Sequence, residues 1–235
     1  MNGDKDSPTL KHIVVPRTAR YAMLGEPGPH TAEVWIVCHG YAQLASRFIE
    51  RFRPIASPER LIVAPEALSR FYSDRGAGFH GPSSQVSASW MTSEDRESEI
   101  TDYISYLDAV YDELFAVIPR ATVPLRVLGF SQGTSTVARW LAKGRARADQ
   151  VILWAGSIPP ELSAEEGRRL NAGGRPVLMV AGDRDQFITT TVRDAQLAAL
   201  EGMGISVEGH GFEGGHEIDA DTLMRIAHAG PPKGV

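Results

Sequence analysis

The stretch Leu125 to Gly133, reading LRVLGFSQG, limits what this chain can fold into more than any other. Leu125, Val127 and Leu128 make a short apolar run that leads into Gly129, Phe130, Ser131, Gln132 and Gly133, and beyond it Val137, Trp140 and Leu141 recur at helical spacing up to Lys143. This reads as strand, sharp turn, helix, with Gly-x-Ser-x-Gly at the turn. A serine at the crest of such a turn sits in a strained backbone conformation that lifts its hydroxyl above the sheet. A side chain two residues to either side would strike the neighbouring strand or helix, and Gly129 and Gly133 remove both collisions. An ordinary Gly-Ser-Gly surface turn lacks the flanking strand and helix found here.

The rest of the chain repeats the alternation. Glu33 to Cys38, Leu61 to Ala64, Val151 to Trp154, Val177 to Val180 and Ile205 to Val207 are short, near-continuous apolar runs of the kind buried on both faces of a parallel sheet. Helices are predicted at Gln43 to Phe52, stopped by Pro54, and at Glu161 to Leu170, Thr189 to Leu200 and Ile218 to Ala227. The longest runs from Glu94 to Ile118, where Ile100, Ile104, Leu107, Tyr111, Leu114 and Ile118 follow one face, Thr92 or Ser93 offers a cap and Pro119 ends it. Ile13 to Val15 and Ala19 to Leu24 read as an opening antiparallel pair with Pro16 at a bend. The expected architecture is a mostly parallel α/β sheet covered by helices on both faces, with no large separate cap domain.

Its 235 residues, 43% hydrophobic and 23% charged, suit one domain over residues 10–230, with a disordered segment at 1–9 and a short tail at 231–235. A net charge of −5 without a basic block argues against nucleic acid or an anionic membrane as partner. No stretch is apolar enough to span a bilayer, and the polar N-terminus has no signal-peptide pattern. The lone Cys38, inside an apolar strand, reads as a buried thiol in a reducing compartment, and the expectation is a cytoplasmic protein, monomer or homodimer.

In open α/β sheets functional groups gather past the carboxyl ends of strands. Those positions hold His39, Gly40 and Tyr41, then Ser131, then Asp183 and Asp185, then His216. Nucleophile, acid and base thus occur in the order Ser, Asp, His, each after a separate apolar strand. His210 falls within or just after the last strand and reads as a packed or solvent-facing residue. His210, Glu213, His216 and Glu217 lack the helical His-Glu-x-x-His spacing of a zinc site, so no metal and no cofactor is expected.

These positions give the chain a family resemblance. His39-Gly40, Ser89-Trp90-Met91, Gly129-Phe130-Ser131-Gln132-Gly133, Gly182-x-x-Asp185 and Gly215-His216-Glu217 resemble the phospholipase/carboxylesterase group of the α/β-hydrolase superfamily, which includes small bacterial esterases and acyl-protein thioesterases. The resemblance spans about residues 33 to 217. It implies Ser131 as nucleophile, His216 as base and Asp185, third after Gly182, as the acid in preference to Asp183. It further implies an oxyanion hole from the backbone N–H groups of Tyr41 and Gln132, with His39 shaping that turn. The chain departs from the family at Tyr41-Ala42-Gln43, where a second glycine and an aspartate are usual, and at Gln186-Phe187-Ile188-Thr189, where the family often has Pro-Val-Val-Pro.

Between Pro65 and Ser93 periodicity disappears, as in a lid or a mobile loop. Phe71, Tyr72, Phe79, Trp90 and Met91 there either wall a substrate pocket or form the core of a folded-back loop. The absence of a long apolar helix in this stretch favours short- to medium-chain acyl groups. The resulting expectation is a cofactor-independent serine carboxylesterase acting on a small-molecule ester through an acyl-serine. Thioester and lysophospholipid hydrolysis are variants on the same groups, and a non-catalytic small-molecule-binding protein on the same scaffold is the rival.

Overall fold

The computed structural model describes residues 8–74, 80–171 and 173–229. The segments 1–7 and 231–235, and Phe79, lie outside the described residues. Strands β1 (Tyr21–Leu24), β2 (Glu33–Cys38), β3 (Arg60–Pro65), β6 (Leu125–Phe130), β7 (Gln150–Trp154), β8 (Val177–Gly182) and β9 (Val207–Phe212) form one seven-stranded sheet in the order β1-β3-β2-β6-β7-β8-β9. All neighbours are parallel except β1, which runs antiparallel to β3. A separate two-stranded ribbon joins β4 (Ser69–Tyr72) to β5 (Val86–Ser89).

Side-chain alternation divides the core. Val34, Ile36 and Cys38 of β2 face α2 (Arg96–Phe115), α3 (Gln132–Lys143) and α5 (Thr190–Gly202). Trp35 and Val37 face α1 (Ala45–Phe48), the 3-10 helix Ile49–Ile55 and α6 (Ala220–His228). Because both faces are covered, β6 is buried at every residue.

Several expectations need correction. The opening antiparallel pair does not form: Ile13, Val14 and Val15 are exposed and lie in no strand, and β1 takes its ladder from β3. The helix expected over residues 43–52 is one α-turn followed by the 3-10 helix, with Pro54 inside it. Ile49, Phe52 and Ile55 are all buried at a spacing of three, the repeat of a 3-10 helix. The long helix starts at Arg96 with no side-chain cap, because Thr92 bonds through its N–H and hydroxyl to Glu99 at 2.6 and 3.0 Å. The helix expected at 161–170 is the short α4 (Ala164–Arg168), opened by a Ser163/Glu166 capping box and continued by the 3-10 turn Arg169–Asn171. The last strand begins at Val207 and extends to Phe212, so His210 lies within it.

Charged groups tie the helices on the first face to the loop after β7. Glu161 accepts from Arg139 of α3 at 2.7 Å and from Arg96 of α2 at 2.9 Å. Burial opposes its ionisation, but the bonds from Arg139 and Arg96 prevail and hold its pKa down to about 2. A carboxylate with a depressed pKa stabilises the fold above its unfolded value, about 4.5, and that contribution is lost as pH falls towards 2. Glu161→Gln is expected to cost about 1–2 kcal/mol at neutral pH, since Arg139 stays buried without its carboxylate while Glu161 is a third exposed. It should also flatten the acid limb of stability between pH 4.5 and 2, measured by denaturant unfolding across pH.

Candidate active site

The turn between β6 and α3 is built as its glycines require. A Cβ on Gly129 would lie 2.3 Å from the Gly133 carbonyl oxygen, and one on Gly133 would lie 2.2 Å from that of Cys38. Ser131, at the N-cap of α3, has φ 54° and ψ −118°, a region L-residues rarely occupy. The strained turn is held by its neighbours: Ser131 N–H donates to Trp154 O at 2.9 Å, and Thr134 Oγ1 donates to Gly129 O at 3.0 Å. Gly156 is a further requirement that sequence reasoning did not reach, as a Cβ there would lie 2.4 Å from Ser131 O.

The structure brings together the three chemical groups expected from separate strands. His216 Nε2 lies 2.9 Å from Ser131 Oγ, and His216 Nδ1 lies 2.8 Å from Asp185 Oδ2. Asp185 has a fully buried side chain, and its other oxygen accepts from the N–H groups of Phe187 and Ile188 at 2.8 and 2.9 Å. This fixes the carboxylate and leaves one oxygen for the imidazole. Asp183 acts elsewhere, because its Oδ1 accepts Gly214 N–H at 2.9 Å and so anchors the loop that carries His216. Trp154 Nε1 adds a second anchor by donating to Glu217 O at 2.8 Å. Phe130 and Phe187 flank the imidazole, with ring centroids 5.0 and 4.8 Å away.

Beside Ser131 lies the turn after β2. The backbone N–H groups of Tyr41 and Gln132 make no hydrogen bond among the described residues. His39 is wholly buried; Nδ1 bonds Gly40 O at 2.8 Å, and Nε2 accepts Ala67 N–H at 3.0 Å. Burial holds its pKa below the ordinary histidine value against the pull of the Gly40 bond. It is therefore a neutral, structural imidazole with both nitrogens engaged.

The end of β5 and the residues just after it clamp this turn. Ala42 N–H donates to Ala88 O at 3.0 Å, and Ala88 N–H returns a bond to Gln43 O at 3.2 Å. The Gln132 side chain accepts Trp90 N–H at 3.1 Å and donates to Met91 O at 2.9 Å, fastening the serine turn to the same strand end. Trp90 leaves the set of candidate pocket residues: it is 1% exposed, and its indole N–H donates to His39 O at 2.8 Å. Met91 is partly buried, its Sδ 3.5 Å from an Arg139 donor. Phe71 stacks on Tyr41 with centroids 5.6 Å apart, whereas Tyr72 points outward and stacks on His80 at 4.2 Å. Trp90 meets the turn after β2 from its buried side, through His39, whereas Phe71 meets it at the exposed Tyr41. Phe187, 62% exposed and edge-on to His216, joins it as a flanking aromatic.

A mostly parallel sheet with helices on both faces and a serine turn at the carboxyl end of a central strand defines an α/β hydrolase. The phospholipase/carboxylesterase sequence profile matches residues 20–229, and the chain belongs to that family, whose members are hydrolases of the esterase type. Similar solved structures include esterase PE8, at 22% identity, covering 90% of this chain and 97% of that one with a TM-score of 0.62. Another is acyl-protein thioesterase 2 of Zea mays, at 17% identity, covering 89% and 96% with a TM-score of 0.65. A third is a phospholipase/carboxylesterase of Dyadobacter fermentans, at 18% identity, covering 92% and 98% with a TM-score of 0.62. At these identities the likeness carries the fold. No curated protein matches the chain by sequence.

The departures after His39-Gly40 have a physical reading. Gln43 Oε1 accepts Gly40 N–H at 2.8 Å, so its amide ties the start of the turn to its end. Ala42 has φ 59°, where a glycine is unstrained. Ala42→Gly is expected to raise stability by about 1 kcal/mol in equilibrium unfolding. Gln43→Ala leaves Gly40 N–H without its acceptor and loosens Tyr41. It is expected to lower kcat by roughly 10- to 100-fold with KM little changed, below the full loss of an oxyanion donor.

Proposed function

We propose that this chain is a serine carboxylesterase that hydrolyses short- to medium-chain esters through an acyl-enzyme on Ser131. The observation that carries the reading is the hydrogen-bonded chain from Ser131 Oγ through both His216 nitrogens to buried Asp185, at 2.9 and 2.8 Å. Ser131 Oγ attacks the ester carbonyl carbon as its proton passes to His216 Nε2, and Asp185 stabilises the imidazolium through Nδ1–H. The negative oxygen is taken by the N–H groups of Tyr41 and Gln132, the latter at the first turn of α3, where the helix dipole favours negative charge. The tetrahedral adduct collapses, the alcohol leaves with the proton from His216, and water repeats the sequence to release the acid and restore the serine. None of these steps requires a metal or cofactor.

The acyl-length preference rests on the segment 65–93, whose described part forms a short ribbon rather than an apolar helix that could cover a long chain. Tyr41 and Phe71 on one side and Phe187 on the other supply the apolar surface beside the serine. The test is a p-nitrophenyl ester series from acetate to dodecanoate, run beside the matching thioesters and a lysophospholipid. Highest kcat/KM at short or medium acyl length on oxygen esters supports the reading. A long-chain, thioester or lysophospholipid optimum overturns the substrate assignment, and no turnover on any of them leaves the non-catalytic binding role.

A further inference from the structure

A cavity of about 440 Å³ lies at the opposite end of the sheet from Ser131, under α6. It is framed by residues at or near the amino ends of four strands, Arg126 of β6, Gln150 of β7, Leu178 of β8 and Glu208 of β9, and by His210 in the middle of β9. Arg126 and Ser131 belong to the same stretch of chain, five residues apart, or about 16 Å at the rise of an extended strand. The two sites are therefore separate.

The cavity's charge is unusual for a protein with a net charge of −5. Arg126, Arg175, Arg225 and His210 line it, against the single carboxylate of Glu208. Arg126 is 4% exposed. Its Nε pairs with Glu33 at 2.5 Å, while Nη1 and Nη2 donate to Ile226 O and Ala229 O at 2.8 and 3.3 Å, closing the carboxyl end of α6. A guanidinium has five N–H groups, so one on each terminal nitrogen remains beyond these bonds. Arg225 spends one nitrogen on Thr222 Oγ1 at 2.7 Å and is otherwise exposed. His210 Nε2 is enclosed and makes no hydrogen bond among the described residues; Glu208 Oε1 is 3.1 Å away but out of line for one. Burial and the charges of Arg175 and Arg60 press the Arg126 pKa down against the pull of Glu33, a field that an added anion would relieve. The remaining walls, Pro176, Leu178, Ile226 and Ala229, are apolar. Cationic side chains lining a cavity with an apolar wall, in a volume of this size, suit a small anion with a hydrocarbon body.

We propose that this cavity binds a small organic carboxylate, its oxygens held by the Arg225 and Arg126 guanidinium groups and its hydrocarbon part against Leu178 and Ile226. The assignment stands apart from the catalytic reading. It is tested by isothermal titration of benzoate, butyrate and inorganic phosphate into the intact protein and into Arg225→Ala, Arg175→Ala and the double variant, with circular dichroism to check folding. Arg126 is left in place because it also closes α6. The expected result is one-site binding of benzoate or butyrate that weakens at least ten-fold in the folded double variant, while phosphate binds more weakly. Binding is also expected to persist in Ser131→Ala. Absence of carboxylate binding at tens of millimolar, tighter binding of phosphate, or binding unchanged in the double variant or lost in Ser131→Ala would overturn the proposal.

Discussion

Ser131→Ala is expected to lower kcat/KM on the best ester by on the order of 10⁵- to 10⁶-fold, because the covalent route closes while substrate contacts and oxyanion donors remain. The variant should fold, since alanine adds no atoms to the turn. It also keeps the strain, as its Cβ occupies the same region at φ 54°. Ser131→Gly is the informative companion: it removes the nucleophile and the strain together, and should gain about 1–3 kcal/mol in equilibrium unfolding while being equally inactive. Loss of activity with gained stability would mean that the turn is held against its own preference for the sake of the hydroxyl. Wild-type rates in either variant would remove Ser131 from the mechanism.

Asp185→Asn is expected to cost about 10⁴-fold in kcat with little change in KM. Asp185 Oδ1 accepts two backbone N–H groups, and Oδ2 accepts His216 Nδ1–H. An asparagine that keeps its carbonyl oxygen on Phe187 and Ile188 must turn its NH₂ towards His216. That favours the tautomer with the proton on Nε2, facing Ser131, where it cannot act as base. Asp183→Asn serves as the contrast. Its retained carbonyl can still accept Gly214 N–H, so the fall should be no more than about ten-fold. Equal losses in the two variants would contradict the division of labour between these aspartates.

The sequence exposes the parts of the site whose physics is local. β2, β6, β7 and β8 are buried on both faces and read as apolar runs, and Gly129 and Gly133 mark where backbones meet too closely for a Cβ. Ser131 and Asp185 follow the carboxyl ends of two of those strands, β6 and β8. Other parts are hidden because their stability comes from partners distant in sequence. Val86–Ser89 is a short, serine-rich strand whose alternation rests on Val86 and the small Ala88 alone, fixed by Tyr72, Phe71 and the turn at Ala42 and Gln43. β9 carries two glycines and polar side chains at the sheet edge, so its pattern begins two residues later than the apolar Ile205 suggests. In sequence Trp90 reads equally as a pocket aromatic or as the core of a folded-back loop. Only the fold reveals it beneath the turn after β2, its indole spent on His39 O. Aspartates two residues apart cannot be told apart by type, and it is the bonds to Gly214 and His216 that separate Asp183 from Asp185.

The most direct test of Ser131 as the nucleophile is to treat the protein with a fluorophosphonate and locate the adduct by peptide mass spectrometry. One adduct per chain is expected, on Ser131, formed more slowly while a saturating substrate ester is present and absent from Ser131→Ala. An adduct on another residue, or no adduct on folded protein that hydrolyses esters, would contradict that role.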